Sequence, residues 1–390
     1  MTDAARRAVA VIVVLAVVTA GTALFTTLRS DREMASVRRS NGEGAFSASG
    51  SGAHGTAGFR GQVLLWAFGG FTSNEVRRVR DSTRVASIVA VRTGRLAVAS
   101  GSAGYPVVPI EAAAVAEDAY AAAVGRSAGR LAVQLRKGVV LSQTSAALRR
   151  LRAGGQLRLA GGRRLDVTGV VADWMLGGYE AATSRDRGSG LNLRRATHLL
   201  VRPRGEEAAF EADMRRLLPG RLLRFRKPGA RPFLRAGDDV LPLALVKQRF
   251  GEFRTRSLTQ PLPDPRWVKA NLASATVPVL GTVRCHRLVL PALAAAMTEL
   301  RAARLDKLID VADSRRGGTC FSRTPRSGDV VPSRHLWGIA VELNPSSNPA
   351  GVAPKLDRRI VRVMAHHGFA WGGTWLHPSG SHFEWVGAGA

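Results

Sequence analysis

The longest apolar run of the chain comes first: AVAVIVVLAVVTAGTALFTTL, residues 8–28, carries no charge and follows Arg6 and Arg7. About 20 apolar residues span a bilayer core, so this run predicts a transmembrane anchor. Small residues around Ala20 and Ala23 leave a cleaved signal peptide as the alternative. Basic residues also follow the run (Arg29, Arg32, Arg38, Arg39), so charge bias does not fix its orientation. Beyond it the pattern dissolves into Gly, Ser and Ala over residues 39–58, the composition of a flexible stalk.

Shorter periods follow. VASIVAVRTGRLAVAS (85–100) holds two β-branched runs around Thr93-Gly94 and predicts a hairpin. IEAAAVAEDAYAAAVG (110–125) is alanine-rich and predicts a helix. GQLRLAGGRRLDVTGVVADW (155–174) alternates apolar and polar residues on either side of Gly161-Gly162, a second hairpin. EEAAFEADMRRLLPG (206–220) reads as an amphipathic helix stopped by Pro219 and Gly220. RIVRVMAHHGFAWGGTW (359–375) reads as a helix ending near Gly368 and then an aromatic loop, and IAVEL (339–343) and SHFEW (381–385) as strands. The fold class is α+β. Five segments are expected: a cytoplasmic tip and anchor (1–38), the stalk (39–58), an α+β accessory domain (59–226), a Pro- and Arg-rich linker (227–240) and a C-terminal α+β domain (241–390).

Composition narrows the setting. Lysine and arginine outnumber acids 57 to 29, a net charge of +28, which favours anionic partners such as envelope polymers or lipid head groups. The arginines are spread along the chain without aromatic interleaving, so no nucleic-acid partner is expected. With the anchor retained, the protein is a single-pass membrane protein whose body lies outside the membrane; with the segment cleaved, it is secreted. Two cysteines occur, Cys285 and Cys320, without a CxxC pair. In an oxidising compartment they are expected to form a disulfide rather than a metal site.

Chemistry concentrates at the C-terminal end. Of 8 histidines, six (286, 335, 366, 367, 377, 382) lie beyond residue 240, and of 7 tryptophans, five (267, 337, 371, 375, 385). In SRHLWGIAVELNP, His335 and Glu342 stand on either side of Gly338. Extended chain would hold them about 23 Å apart at roughly 3.3 Å per residue. Only a reversal near Gly338, which glycine permits, lets both reach one ion. A third ligand must come from downstream, where His382 and Glu384 share a strand face. His335, Glu342 and His382 together would offer Zn2+ two imidazoles and a carboxylate, with a fourth position open.

Six further pieces stand in order along the chain: FGEF (250–253), DPRWVKANL (264–272), VRCHRLVLPAL (283–293), SRHLWGIAVELNPSSNP (333–349), HGFAWGGTW (367–375) and SHFEW (381–385). On these pieces, residues from about 241 to 390 resemble the D-alanyl-D-alanine carboxypeptidase and L-alanyl-D-glutamate peptidase family of zinc peptidases. The resemblance implies zinc ligands at His335, Glu342 and His382, a small antiparallel sheet around them, and a substrate-binding arginine at Arg323, with Arg326 as the fallback. It also implies peptidoglycan stem peptides as substrates. Two departures stand out. Glu342 occupies a position that is usually Asp, which keeps a hard oxygen donor. Ser379 occupies the position of the acidic general base, and a serine hydroxyl cannot accept a proton near neutral pH. Glu384 is the nearest other carboxylate, as a proton acceptor or as a partner orienting His382; His377, on the flanking loop, titrates near neutrality. Two functions follow: a zinc peptidase trimming stem peptides, or a catalytically degenerate wall-peptide-binding or regulatory module.

In the accessory region, VVLSQTSAALRRLRAGGQLRLAGGRRLDVTGVVAD (139–173) sets a helix, a glycine pair and two short strands in sequence. This resembles the extracytoplasmic core domain of ABC-transporter permeases. The pattern holds no catalytic residue, and transport by this chain alone is not expected.

Overall fold

The computed structural model describes residues 58–227, 241–259, 261–322 and 333–387. The expected anchor and nearly all of the stalk and the linker lie outside them. Among the described residues no helix is long and apolar enough to cross a membrane.

The N-terminal part is built on one sheet. Its strands are β1 (Val63–Phe71), β2 (Val85–Ala99), β3 (Val107–Val115), β4 (Val139–Ser142), β5 (Gln156–Arg158), β6 (Arg164–Val171), β7 (Ala181–Ser184), β8 (Ala196–Pro203) and β9 (Leu223–Arg226). They lie in the order β5-β6-β4-β7-β3-β2-β8-β1-β9, a nine-stranded mixed sheet with β3–β7 and β4–β6 parallel. Both faces are covered. On β1, Leu64 and Trp66 join a core with helices Glu117–Val124 and Leu131–Lys137, while Val63, Leu65 and Ala67 join another with Phe210 and Met214. Two-sided burial explains why central strands such as β1 and β3 read as apolar runs rather than alternations.

Two expectations change here. Residues 85–99 form a single long strand, not a hairpin. Its first half, to Arg92, pairs with β8, and its second half, from Arg92, pairs with β3. Gly94 is used for close approach: a Cβ there would lie 2.7 Å from Leu193 Cδ2. Residues 110–115 are strand, and the helix begins only at Glu117. β3 is buried along its whole length, and Gly188 packs so tightly on Ala114 that a Cβ would lie 2.2 Å from the alanine's. Small side chains in a central strand override their helical propensity, worth only tenths of a kcal/mol per residue. The hairpin β5–β6 and the helix Glu207–Leu217 form as expected.

The C-terminal part has its own core, centred on Phe250, Phe253, Trp337, Phe369 and Phe383. It contains the hairpin β10 (Leu272–Val277) with β11 (Gly281–His286), the helices Leu290–Ala302 and Arg358–His366, and a three-stranded antiparallel sheet. That sheet orders β12 (Ala340–Glu342), β14 (His382–Trp385) and β13 (Phe369–Trp371) as β12-β14-β13. The aromatic segment after Gly368 therefore opens as strand before it becomes loop, because Phe369 and Trp371 pair with Trp385 and Phe383.

The two parts are tightly joined. Lys247 Nζ, 1% exposed, donates to both oxygens of Glu180 at 2.9 and 3.0 Å and to the Pro109 carbonyl at 2.5 Å. Arg149 bridges Glu180 at 3.0 Å and Glu252 at 2.7 Å. Burial opposes ionisation of Glu180, yet Lys247 and Arg149 hold its carboxyl below the usual range. Leu376, from the loop between β13 and β14, is buried in the core formed by Leu64, Trp66 and Tyr179.

Candidate metal centre

The site is assembled from three places in the chain. Ser333 caps a 3₁₀ turn, Arg334–Trp337, that presents His335. Gly338 follows at φ +67°, reversing the chain into β12; a Cβ there would stand 2.8 Å from the His286 amide nitrogen, so glycine is required. β12 pairs antiparallel with β14 so that Glu342 faces His382 and Ala340 faces Glu384.

The reversal and the pairing bring the expected ligands together. Glu342 Oε1 lies 2.6 Å from His382 Nδ1 and 3.4 Å from His335 Nε2. One ligand atom from each of the three lies within 4.8 Å of the others, and all three residues are buried. His335 Nδ1 lies 2.8 Å from the Cys320 carbonyl. Donation to that oxygen places the ring proton on Nδ1 and leaves the Nε2 lone pair facing the centre.

Cys320 is fixed in turn. Cys285 and Cys320 form the expected disulfide, and backbone bridges tie Cys320 to Arg284 and Thr319 to Val341. Gly318, at φ +111°, lets this segment lie against the ring: a Cβ there would be 3.4 Å from His335 Cε1.

Outer contacts complete the arrangement. Ser381 Oγ donates to Glu342 Oε2 at 2.5 Å. Glu384, 2% exposed, sets Oε1 3.3 Å from His382 Nε2, the nitrogen not shared with Glu342. Its Oε2 stands 4.0 Å from the buried Arg334 guanidinium, which also donates to the Leu241 carbonyl at 2.8 Å. The Trp375 ring covers His382 at 5.1 Å. Burial disfavours the His382 imidazolium, but the charges and hydrogen bonds of Glu342, then Glu384, push its pKa up to about 10. Two buried carboxylates around these imidazoles call for a cation, whether proton or metal.

The other candidates fall as follows. Arg323 and Arg326 lie outside the described residues. Ser379 is buried beside the site, and its carbonyl accepts from the His382 amide at 3.1 Å. His377 instead packs on Phe68 and Trp66 of the large sheet, with ring centroids at 5.3 and 6.2 Å. Burial and the Arg224 charge lower its pKa. Arg334, Ser381 and the Cys320 carbonyl were not foreseen. Arg334 adjoins His335 in sequence, but only the fold reveals that its charge is buried beside Glu384.

A family described as D-alanyl-D-alanine carboxypeptidase matches residues 327–385. No curated protein matches the chain. Among solved structures, the chain is similar to the periplasmic region of MacB from Actinobacillus actinomycetemcomitans, at 13% identity and TM-score 0.32, over 45% of this chain and 92% of that one. It is also similar to the extracellular domain of the noncanonic ABC-type transporter YknZ from Gram-positive bacteria, at 11% identity and TM-score 0.30, over 40% and 92%.

Proposed function

We propose that the C-terminal domain is a zinc-dependent peptidase of the D-alanyl-D-alanine carboxypeptidase type, acting on peptidoglycan stem peptides at the cell envelope. The observation that carries this reading is the buried convergence of His335 Nε2, Glu342 Oε1 and His382 Nδ1 inside the segment that matches that family. Two imidazoles and one carboxylate suit zinc and leave room for a further ligand. Each imidazole has its second nitrogen engaged, by the Cys320 carbonyl and by Glu384, as metal-binding histidines require.

Zinc, when bound, supplies Lewis acidity toward a scissile carbonyl and a water molecule. The chain's residues do the rest. His335, Glu342 and His382 hold the ion, and Ser381 fixes the Glu342 carboxylate. Glu384 orients the His382 ring; its place on the second nitrogen favours this role over that of proton acceptor. Arg323 would clamp the substrate's terminal carboxylate through paired N–H groups. The apolar run 8–28 would anchor the protein with its body outside the membrane, and the charge of +28 would hold it near anionic envelope polymers or lipids.

A second reading rests on Ser379. With a serine in place of an acid at position 379, the domain would bind wall peptides or regulate another hydrolase without cleaving. One assay separates the two: release of D-alanine from a stem-peptide mimic by zinc-loaded wild type, His335→Ala and Ser379→Asp. Release by wild type that His335→Ala abolishes supports the peptidase. An inert wild type with activity gained in Ser379→Asp defeats it in favour of the binding module.

A further inference from the structure

A second group of ligand-bearing side chains converges elsewhere in this domain: Glu299, His366 and His367, with one ligand atom from each within 4.8 Å of the others. Glu299 lies near the end of helix Leu290–Ala302, and the histidines lie at the end of helix Arg358–His366. Successive helical residues diverge by roughly 100° at 3.6 residues per turn, so neighbouring imidazoles do not normally meet. Here the helix stops between them. His366 is its last residue and His367 its cap, at φ −89° and ψ 15°.

The rings also present different nitrogens. His366 Nδ1 lies 3.3 Å and His367 Nε2 2.8 Å from the same oxygen, Glu299 Oε2. The ring centroids are 4.9 Å apart. The cluster borders a surface concavity of about 450 Å³ whose walls include Arg359 and Arg362.

We propose that Glu299, His366 and His367 form a second, solvent-facing site for a divalent transition-metal ion of the zinc or nickel class. Imidazole with carboxylate suits such ions better than magnesium or calcium, which favour all-oxygen shells. Three protein ligands leave coordination positions open toward the concavity, where the two arginines favour an anion or water as the completing ligand. The ion would clamp the two helices together where the chain enters β13. The His367 carbonyl accepts from Trp385 Nε1 at 3.2 Å, so the clamp also braces β14, the strand of His382. Side-chain exposures of 73% for His366 and 42% for Glu299 make this the weaker of the two sites.

The test uses the untagged full chain, titrated with zinc and separately with nickel by equilibrium dialysis into the high-micromolar range. Variants are Glu299→Gln/His366→Gln/His367→Gln and, as a control, Lys307→Ala, an exposed cation outside the cluster. The triple variant is expected to bind one ion fewer per chain than wild type, and Lys307→Ala the same number as wild type. This difference does not depend on whether the His335 site is filled, so it survives failure of the peptidase reading. Zinc should also raise the melting temperature of a His335→Ala/His382→Ala protein, and cease to do so when the three outer residues are replaced as well. Equal stoichiometry and identical isotherms for wild type and the triple variant would show an ion pair only and overturn the proposal.

Discussion

Replacing Glu384 with Gln tests how the centre is organised. The carboxylate sits 3.3 Å from His382 Nε2 and 4.0 Å from Arg334, almost entirely shielded from water. Glutamine keeps the shape and one acceptor oxygen but removes the charge that steadies the ring and faces Arg334. Partners of this kind are worth about 10- to 100-fold in metal affinity, or roughly 1.4 to 2.8 kcal/mol at 1.4 kcal/mol per tenfold. We therefore expect zinc affinity, measured by competition with a chromogenic chelator, to fall within that range. A modest loss of thermal stability should accompany it, because a buried guanidinium loses one counter-charge. If Glu384 were instead the proton acceptor, turnover would fall by about 10²- to 10⁴-fold with zinc affinity unchanged. Zinc affinity within twofold of wild type, in a variant with native circular dichroism, would refute the orienting role.

Three further outcomes are expected. Cys285→Ala/Cys320→Ala should lose about 4 kcal/mol of stability, given a bridge spanning 35 residues; zinc affinity should fall too, because the His335 hydrogen-bond acceptor is then free to move, and chemical denaturation with zinc titration reads both. Lys247→Met should cost about 3–5 kcal/mol by leaving Glu180 short of its main counter-charge, and Lys247→Met/Glu180→Leu should cost less than the single change. Because the Glu180 pKa is lowered on folding, its stabilisation is present above the unfolded value of about 4.3 and disappears as pH falls through the folded value; wild-type melting curves below pH 4 should show the loss, and the double variant should be less steep. In the metal-free protein the raised His382 pKa, about 10, stabilises the fold below pH ~6.5 and is lost as pH rises through 10. Zinc must displace that proton, so its apparent affinity should rise about tenfold per pH unit between 7 and 9; calorimetry in buffers of different ionisation enthalpy should find about one proton released from His382.

Periodicity along the chain specified the elements whose burial is one-sided. The hairpin across Gly161-Gly162 and the helix over 207–217 show periods that report an exposed and a covered face. The sequence also set which side chains could meet an ion, because strand alternation put His382 and Glu384 on one face and glycine at 338 allowed the reversal. Tertiary structure decided the rest. Residues 85–99 became one strand because different neighbours claim its two halves, and residues 110–115 became strand because a central position covered on both faces outweighs a weak local preference for helix. The outer partners of the centre, Arg334, Ser381 and the Cys320 carbonyl, and the seating of Leu376 in the neighbouring core, follow from contacts between distant segments. Local periodicity fixes which face of an element is apolar, but which group lies opposite that face depends on how the sheets and helices pack.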